Sequence, residues 1–576
     1  MLRHHKNILS SKIIAVICLI FSFSSCETFE LEILDDPNAL TNDQADADLF
    51  LNAIEISLAG FFDGNQLDDN LAVSEMGMEV TRILHMFGPL YDNAYQPGDY
   101  DICYEDAYAG LLADVQALEP IAEEAGLYTH IGISKIIEAY VIMTLVDYFG
   151  DLPYSEAFQG LDNTNPVADD DANIYNDVED LLNEGLRQLD RIERFKANTD
   201  LFYGGNEASW AKLANTLKLK LYLQTRLVDA NAGAKINNLL ANEDLILDLE
   251  DDFQFQYSNV DANPDSRHPY FGRNFDVAAD VNDYMSNYYM TLIKDDFATG
   301  DPRRRYYFYR QSLDFTEDPN ENECILVARP THYSSNDVFC NPGDGYWGRD
   351  HGDDDGIPPD GGLRTTFGVY PIGGPFDASV GDAISGRRVG LQGAGISPIM
   401  LSSYTNFMLA EAALTAGVTG DPRFYLEQGV RQSIQKVLAF GERLPLDEPV
   451  KDDDPDTPED ETVIPRPFVP SNSDIELYVN NVLDRYDAAS GEDRVEIVVI
   501  EYFKALFGNG VEAYNTYRRT GFPSDLQPTL TLNSGEFINS FPYPSELFQQ
   551  NSNVSQKPAP SQSLRVFWAE GGPVVD

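Results

Sequence analysis

Residues 131–150 read IGISKIIEAYVIMTLVDYFG, and the spacing of their apolar side chains decides the fold class. Ile133, Ile136, Ile137, Tyr140, Val141, Leu145, Tyr148 and Phe149 recur at intervals of three and four, the period of a helix. Gly150 supplies a stop, and Pro153 keeps the helix from resuming.

The same period continues outward. A second helix carries Ile174, Val178, Leu181, Leu182, Leu189 and Ile192, and a third carries Trp210, Leu213, Ala214, Leu217, Leu221 and Val228. They begin about 34 residues apart, the repeat of a tetratricopeptide helix pair. Residues 401–440 supply another pair, with Leu409, Ala410, Ala413 and Leu414 on one face and Asp421-Pro422 opening the second helix. Helices near 473–489, 492–507 and 510–519 follow. The expected fold is mainly α, a tetratricopeptide-like helix-pair scaffold. Between 251 and 400 the period lapses, and glycine, proline, aspartate and aromatics dominate. So long a stretch implies functional loops or small irregular strands. Lys451–Glu461 (KDDDPDTPEDE) marks a solvated acidic insertion.

The N-terminus has the parts of a secretory signal. Arg3, Lys6 and Lys12 precede any acid, and Ile13–Phe21 is apolar but too short to span a bilayer. Ser22-Phe23-Ser24-Ser25 then leads into Cys26. Small residues before a cysteine resemble the bacterial lipobox, whose cysteine is diacylated and becomes the first mature residue. Phe23 stands where that motif usually has leucine, and the alternative is an ordinary signal peptide ending near Cys26. Residues 26–40 read as a lipidated tether, and no later stretch is expected to be long and apolar enough to span.

Ninety-five acids face 39 lysines and arginines, a net charge of −56. Loss of residues 1–25 deletes three cations and no acid, so −56 becomes −59. Such a charge repels DNA, RNA and anionic lipid, which argues against a nucleic-acid partner. A polyanionic ligand would need a local arginine cluster. Cys18 leaves with the signal and Cys26 takes the lipid. Among the remaining three, Cys324 and Cys340 can close a short loop in an oxidising compartment, with Cys103 left buried. No C-x-x-C pair supports a zinc site.

Catalytic signatures are missing: no G-x-S-x-G elbow, H-E-x-x-H helix or Walker A loop occurs. The acidic run Asp350–Asp355 invites a calcium reading. It fails the EF-hand template, because His351 would be position one and Gly362 would replace the bidentate Glu. A calcium site of another kind there is the one cofactor considered.

Four stretches read in order resemble the SusD/RagB family, especially its SusD-like subgroup. Glu138-Ala139-Tyr140 through Tyr148-Phe149-Gly150-Asp151-Leu152-Pro153-Tyr154-Ser155-Glu156-Ala157 is similar to that family's helix ending in a YGD-PYSEA turn. Trp210–Leu219 (WAKLANTLKL) is similar to its W-KLANSLKLR helix, and Tyr404–Ala413 to its AEA helix. Glu501–Phe507 with Glu512–Pro523 (EAYNTYRRTGFP), continued by Phe541–Glu546, is similar to its C-terminal signature. The resemblance implies helix pairs on one side and a loop-rich ligand face on the other. It implies a surface-exposed outer-membrane lipoprotein and no enzyme. It implies a partner, a SusC-like TonB-dependent β-barrel transporter over which the protein sits as a lid, delivering captured oligosaccharides. Peptides are the alternative ligand, and an exported acidic glycan hydrolase the alternative of another class. On this basis residues 41–576 are expected to form a single domain. Its parts are a helical scaffold to 250, a ligand region at 251–400, a helix pair at 401–440, the acidic insertion at 441–472, and C-terminal helices and tail at 473–576.

Capturing a glycan needs aromatic faces for the C–H side of sugar rings and planar polar groups for the hydroxyls. Two segments offer both. Residues 87–95 (FGPLYDNAY) hold Tyr91, Asn93 and Tyr95, and residues 346–351 (YWGRDH) lead on to Tyr370. The second is preferred, because no core periodicity requires Tyr346 and Trp347 among glycines and acids. Arg349, Asp350 and His351 would supply the polar contacts. The alternative is that these aromatics pin the loops to the scaffold.

Overall fold

The computed structural model describes residues 47–575, apart from 66–70, 193–195, 276–282, 317, 319–321, 355–362, 385–387 and 445–467. Cys26, the signal, the tether and most of the acidic insertion therefore lie outside the described residues.

Helices α1 (Ala47–Asp63), α2 (Val73–Val80) and α3 (Ala113–Ala125) lead to α4 (Tyr128–Phe149), which contains the stretch quoted first. α4 ends at Gly150, whose φ of 74° and ψ of −128° suit only a residue without a side chain. Every α4 residue after Tyr128 is buried, between α1 and α3 on one side and α5 (Asp171–Leu189) and α6 (Glu207–Gln224) on the other.

By length and composition α4 could cross a membrane, which corrects the expectation that no later stretch meets that test. Its surroundings give it another role. His130 Nε2 lies 2.8 Å from Asp48, and Lys135 pairs with Glu119 at 2.8 Å and Glu138 at 3.1 Å. Asp147 accepts from Asn515 Nδ2 at 2.6 Å, Trp568 Nε1 at 2.9 Å and the Tyr175 hydroxyl. Charges paired in this way are tolerated in a protein core, whereas lipid offers them no partner.

α5 and α6 begin at side-chain caps. Asp170 accepts from the Asn173 amide, and Asn206 from those of Ala208 and Ser209. Both helices stop short of the apolar run that suggested them. Ile192 lies beyond α5 and is 97% exposed, and Val228 lies beyond α6. α7 (Ala232–Asn242) packs on α6. The next pair is α8 (Ser402–Thr415) and α9 (Pro422–Glu442), with Asp421 as N-cap and Pro422 in the first turn. α10 (Asn472–Ala488), α11 (Glu492–Ala505) and α12 (Gly510–Thr520) complete the scaffold.

The stretch from 251 to 400 holds short helices and four short strands among its described residues. β1 (Phe253–Gln256) pairs antiparallel with β4 (Ile396–Met400), and β2 (Phe308–Arg310) with β3 (Thr365–Phe367), Phe308 opposite Phe367. Asn509 Nδ2 ties β4 to the scaffold through the carbonyls of Pro398 at 2.9 Å and Ile399 at 3.0 Å. Cys324 and Cys340 form a disulfide, and Cys103 is buried and free.

α12 gathers the motifs. Arg519 grips Glu411 of α8 with one edge of its guanidinium, Nε at 2.8 Å and Nη2 at 2.7 Å. Glu512 receives Lys220 of α6, and Arg518 donates to the Asn539 carbonyl and to Asn515, which holds Asp147 of α4. The similar stretches are thus the buried polar joints of the scaffold. α12 also packs against α2 from the far end of the chain. Ser74 Oγ donates to the Gly508 carbonyl at 3.1 Å, 434 residues away, and Arg82 Nε to that of Gln527 at 3.0 Å.

Candidate ligand-binding face

The two segments offered by the sequence as alternatives meet in space. An extended run from Tyr284 to Ser286, with the helix start at Asn287, joins them. The His85 amide donates to the Tyr284 carbonyl at 2.8 Å, the Arg349 amide to Met285 at 3.1 Å, and the Asn287 amide to Arg349 at 2.9 Å. Leu84 and Met285 form an antiparallel bridge, and Ser286 and Arg349 a parallel one. Gly348 is required there: a β-carbon on it would lie 1.9 Å from the Met285 carbonyl oxygen. Farther along, the Gly352 amide donates to Met86 at 3.1 Å, and the Tyr91 hydroxyl lies 3.3 Å from His351 Nε2.

This backbone frame stacks rings and guanidinium groups. Tyr284 lies 4.6 Å from the Arg349 guanidinium carbon and 5.7 Å from that of Arg364. Phe87 meets His85 edge-on at 4.4 Å and Tyr284 at 5.6 Å, with Arg349 5.4 Å from its centroid. Trp347 sits 5.1 Å from Arg364 and edge-on to Phe315 at 5.6 Å. Arg82 donates to the Tyr91 hydroxyl at 2.7 Å. A chain of net charge −56 therefore collects three arginines around one aromatic nest. Burial and those cations push both histidines well below the ordinary imidazole range: Arg349 and Arg364 act on His85, and Arg82 with His85 on His351. Both are neutral at neutral pH, and His351 keeps its contact with the Tyr91 hydroxyl.

The structure encloses the residues of the expected platform. Trp347 and His351 are 1% exposed, Tyr346, Arg349 and Asp350 2%, and Tyr370 1%. A ring enclosed to that degree offers no face to a solute. Tyr346 lies under Arg310 at 4.6 Å, and Tyr370 packs on Tyr307 and Phe440 inside the scaffold. These residues frame the face instead of presenting it. Tyr91 and Tyr95 are 4% exposed, with edges on a small cavity, and Asn93 is exposed. The ring that reaches solvent is Phe87, 42% exposed. Its loop was singled out, but the residue was not. His85, Tyr284 and Arg364 were missed, because only tertiary backbone pairing places them there.

Asp350 does not fit a calcium ligand. Its oxygens accept from Asn287 Nδ2 at 3.0 Å, Gln527 Nε2 at 2.9 Å and the Cys340 amide at 2.8 Å. Burial raises its pKa, and those three bonds pull it back. Asp353 faces Arg349 at 3.8 Å, and Asp355 lies outside the described residues. The Cys340 bond puts the disulfide next to the frame. Replacing Cys324 and Cys340 by serine is expected to speed amide exchange across 324–340, with helical content by circular dichroism unchanged. Equal exchange would show that the cross-link is redundant.

Two cavities flank other parts of the fold. One of about 740 Å³ lies where α6 and α7 approach α8, with Leu245 and Leu409 in its wall and Glu243, Asp244 and Asp248 on its exposed side. Tyr425 is its one aromatic ring, so it lacks a stacking platform. The other, of about 190 Å³, lies between residues 91–97 and 538–562.

Comparison with known proteins adds the following. Residues 38–341 match a family model described as starch-binding associating with outer membrane, and residues 393–562 match one described as SusD and RagB outer membrane lipoprotein. Among solved structures, a SusD homolog from Bacteroides fragilis is 18% identical, with 91% of this chain and 99% of that one covered and a TM-score of 0.62. A SusD/RagB family protein from Bacteroides thetaiotaomicron is 18% identical, with 92% and 100% covered and a TM-score of 0.62. A chitin-binding protein is 18% identical, with 91% and 99% covered and a TM-score of 0.57. At that identity the likeness is one of fold. Among curated proteins none matches.

Proposed function

Because the chain belongs to the SusD/RagB family of outer-membrane lipoproteins, we propose that it captures oligosaccharides at the cell surface without catalysis. In this proposal it passes them to a SusC-like TonB-dependent transporter, and Cys26 carries the lipid. The observation that carries the capture step is Phe87, a half-exposed ring held edge-on by His85 and Tyr284 over Arg349. A rigid aromatic face loses little entropy on binding and offers its surface to sugar C–H groups. The starch-binding description of one family model and the name of the chitin-binding relative support a glycan as ligand.

Phe87→Ala is expected to weaken oligosaccharide binding about tenfold in calorimetry, roughly 1.4 kcal/mol, with an unchanged melting temperature. Equal affinity would overturn the platform. Binding of peptides and of no glycan in the same panel would favour the peptide alternative, and release of shortened products would favour the hydrolase.

A further inference from the structure

We infer that the small cavity beside Tyr91 and Tyr95 seats the terminal ring of a neutral glycan, so that the protein recognises chain ends. The inference rests on the glycan-capture reading and narrows it.

Size argues first. The cavity measures about 190 Å³, below the roughly 300–1,000 Å³ typical of small-molecule sites. One sugar ring has room there, and a run of rings does not. The walls argue second. Tyr91, Tyr95, Pro97, Ile538 and Pro542 contribute apolar edges to its lining. That combination suits a ring with two C–H faces and polar edges.

The polar lining divides into held and open groups. The Gln562 amide donates to Asp92, and Gln556 exchanges two hydrogen bonds of 2.9 Å with the Tyr543 backbone. These fix the wall. The Gln96 amide and the Ser561 hydroxyl also line the cavity, and neither makes a side-chain hydrogen bond within the described residues. With the second oxygen of Asp92 they offer donors and acceptors for sugar hydroxyls. No lysine, arginine or histidine lines the cavity and one carboxylate does, so a uronate or sulfated ring would be repelled, and a neutral one admitted.

The cavity is also built in advance. Arg82 holds the Tyr91 hydroxyl at 2.7 Å, and the Tyr95 hydroxyl donates to Glu79. The Tyr91 amide donates to the Ser534 carbonyl at 2.8 Å and the Ser545 amide to that of Pro97 at 3.0 Å, clamping the loop to the C-terminal tail. Phe87 stands on the same loop, so platform and cavity share one support.

The test compares a neutral oligosaccharide series with the same compounds blocked at both ends by a bulky group, and with a cyclic form of the same linkage. The full-length chain is expected to bind open chains at least about tenfold more tightly than blocked or cyclic ones. In Gln96→Ala, whose side chain is exposed, that preference should shrink while the residual affinity still depends on Phe87. Equal binding of open, blocked and cyclic forms would overturn the end-pocket and leave glycan capture standing. Binding of none of them to the unaltered protein would remove both.

Discussion

Arg519→Ala is expected to lower the unfolding free energy by about 3–5 kcal/mol, the cost of removing one member of a buried ion pair. Glu411 is 0% exposed and Arg519 3%. Besides Glu411, the guanidinium reaches Gln224 and, at 3.3 Å, Thr516. Truncation would leave Glu411 with Arg226 at 3.2 Å as its remaining cation. Lysine should not rescue, since it cannot reproduce the two-pronged grip.

The pH dependence supplies a check on the cause. Burial pushes Glu411 up, but Arg519 and Arg226 more than cancel that and hold it below its ordinary value of 4.5. In the unaltered protein its contribution is present above the unfolded pKa and is lost as the pH falls through the folded one. Without Arg519 the sign reverses. Burial then raises the folded pKa, and the variant's deficit should shrink on acidification as Glu411 takes a proton. Denaturant midpoints at neutral and mildly acidic pH measure both. A loss below about 1 kcal/mol, within the range of an exposed pair, would contradict the buried joint.

Trp347→Ala is expected to cost about 3–5 kcal/mol, as for other aromatic truncations in a packed interior. The ring is 1% exposed and is wedged between Phe315 and Arg364. Its removal leaves a void under Arg364 and loosens the frame that holds Phe87. Binding should fall in this variant too, but with a lowered melting temperature, whereas Phe87→Ala should bind weakly and melt normally. Trp347→Phe, which refills much of the space, should recover most of both. Weak binding with unaltered melting in Trp347→Ala would return the tryptophan to the role of ligand contact.

The contrast between these two rings shows what the sequence could convey. The helices were legible because a buried face in a regular element leaves a period. α4, α8 and α9 lie where spacing put them, and the misreadings at Ile192 and Val228 arose because apolar side chains on a surface cost little. The site gave weaker clues. Tyr346 and Trp347 drew attention because no period demanded their burial, but that inference holds only for regular elements. An irregular loop can enclose a ring once another segment pairs with its backbone, as Met285 and Asn287 do with Arg349. Phe87 and Tyr91 look alike in sequence. Their different fates depend on tertiary contacts: the Tyr91 amide is held by the Ser534 carbonyl, far along the chain, and its hydroxyl by Arg82.

The contact between α2 and α12 bears on how such a chain is made. Ser74 waits for Gly508 and Arg82 for Gln527, so the first helices remain incomplete until almost the whole polypeptide has been synthesised. Contacts so distant in sequence are slow to form. For a chain expected to thread a translocation pore as an extended strand, delay is useful. A first half that closed on its own would arrive at the pore already folded. By keeping part of each joint at the opposite end, this topology defers closure until the last residues are available to complete it.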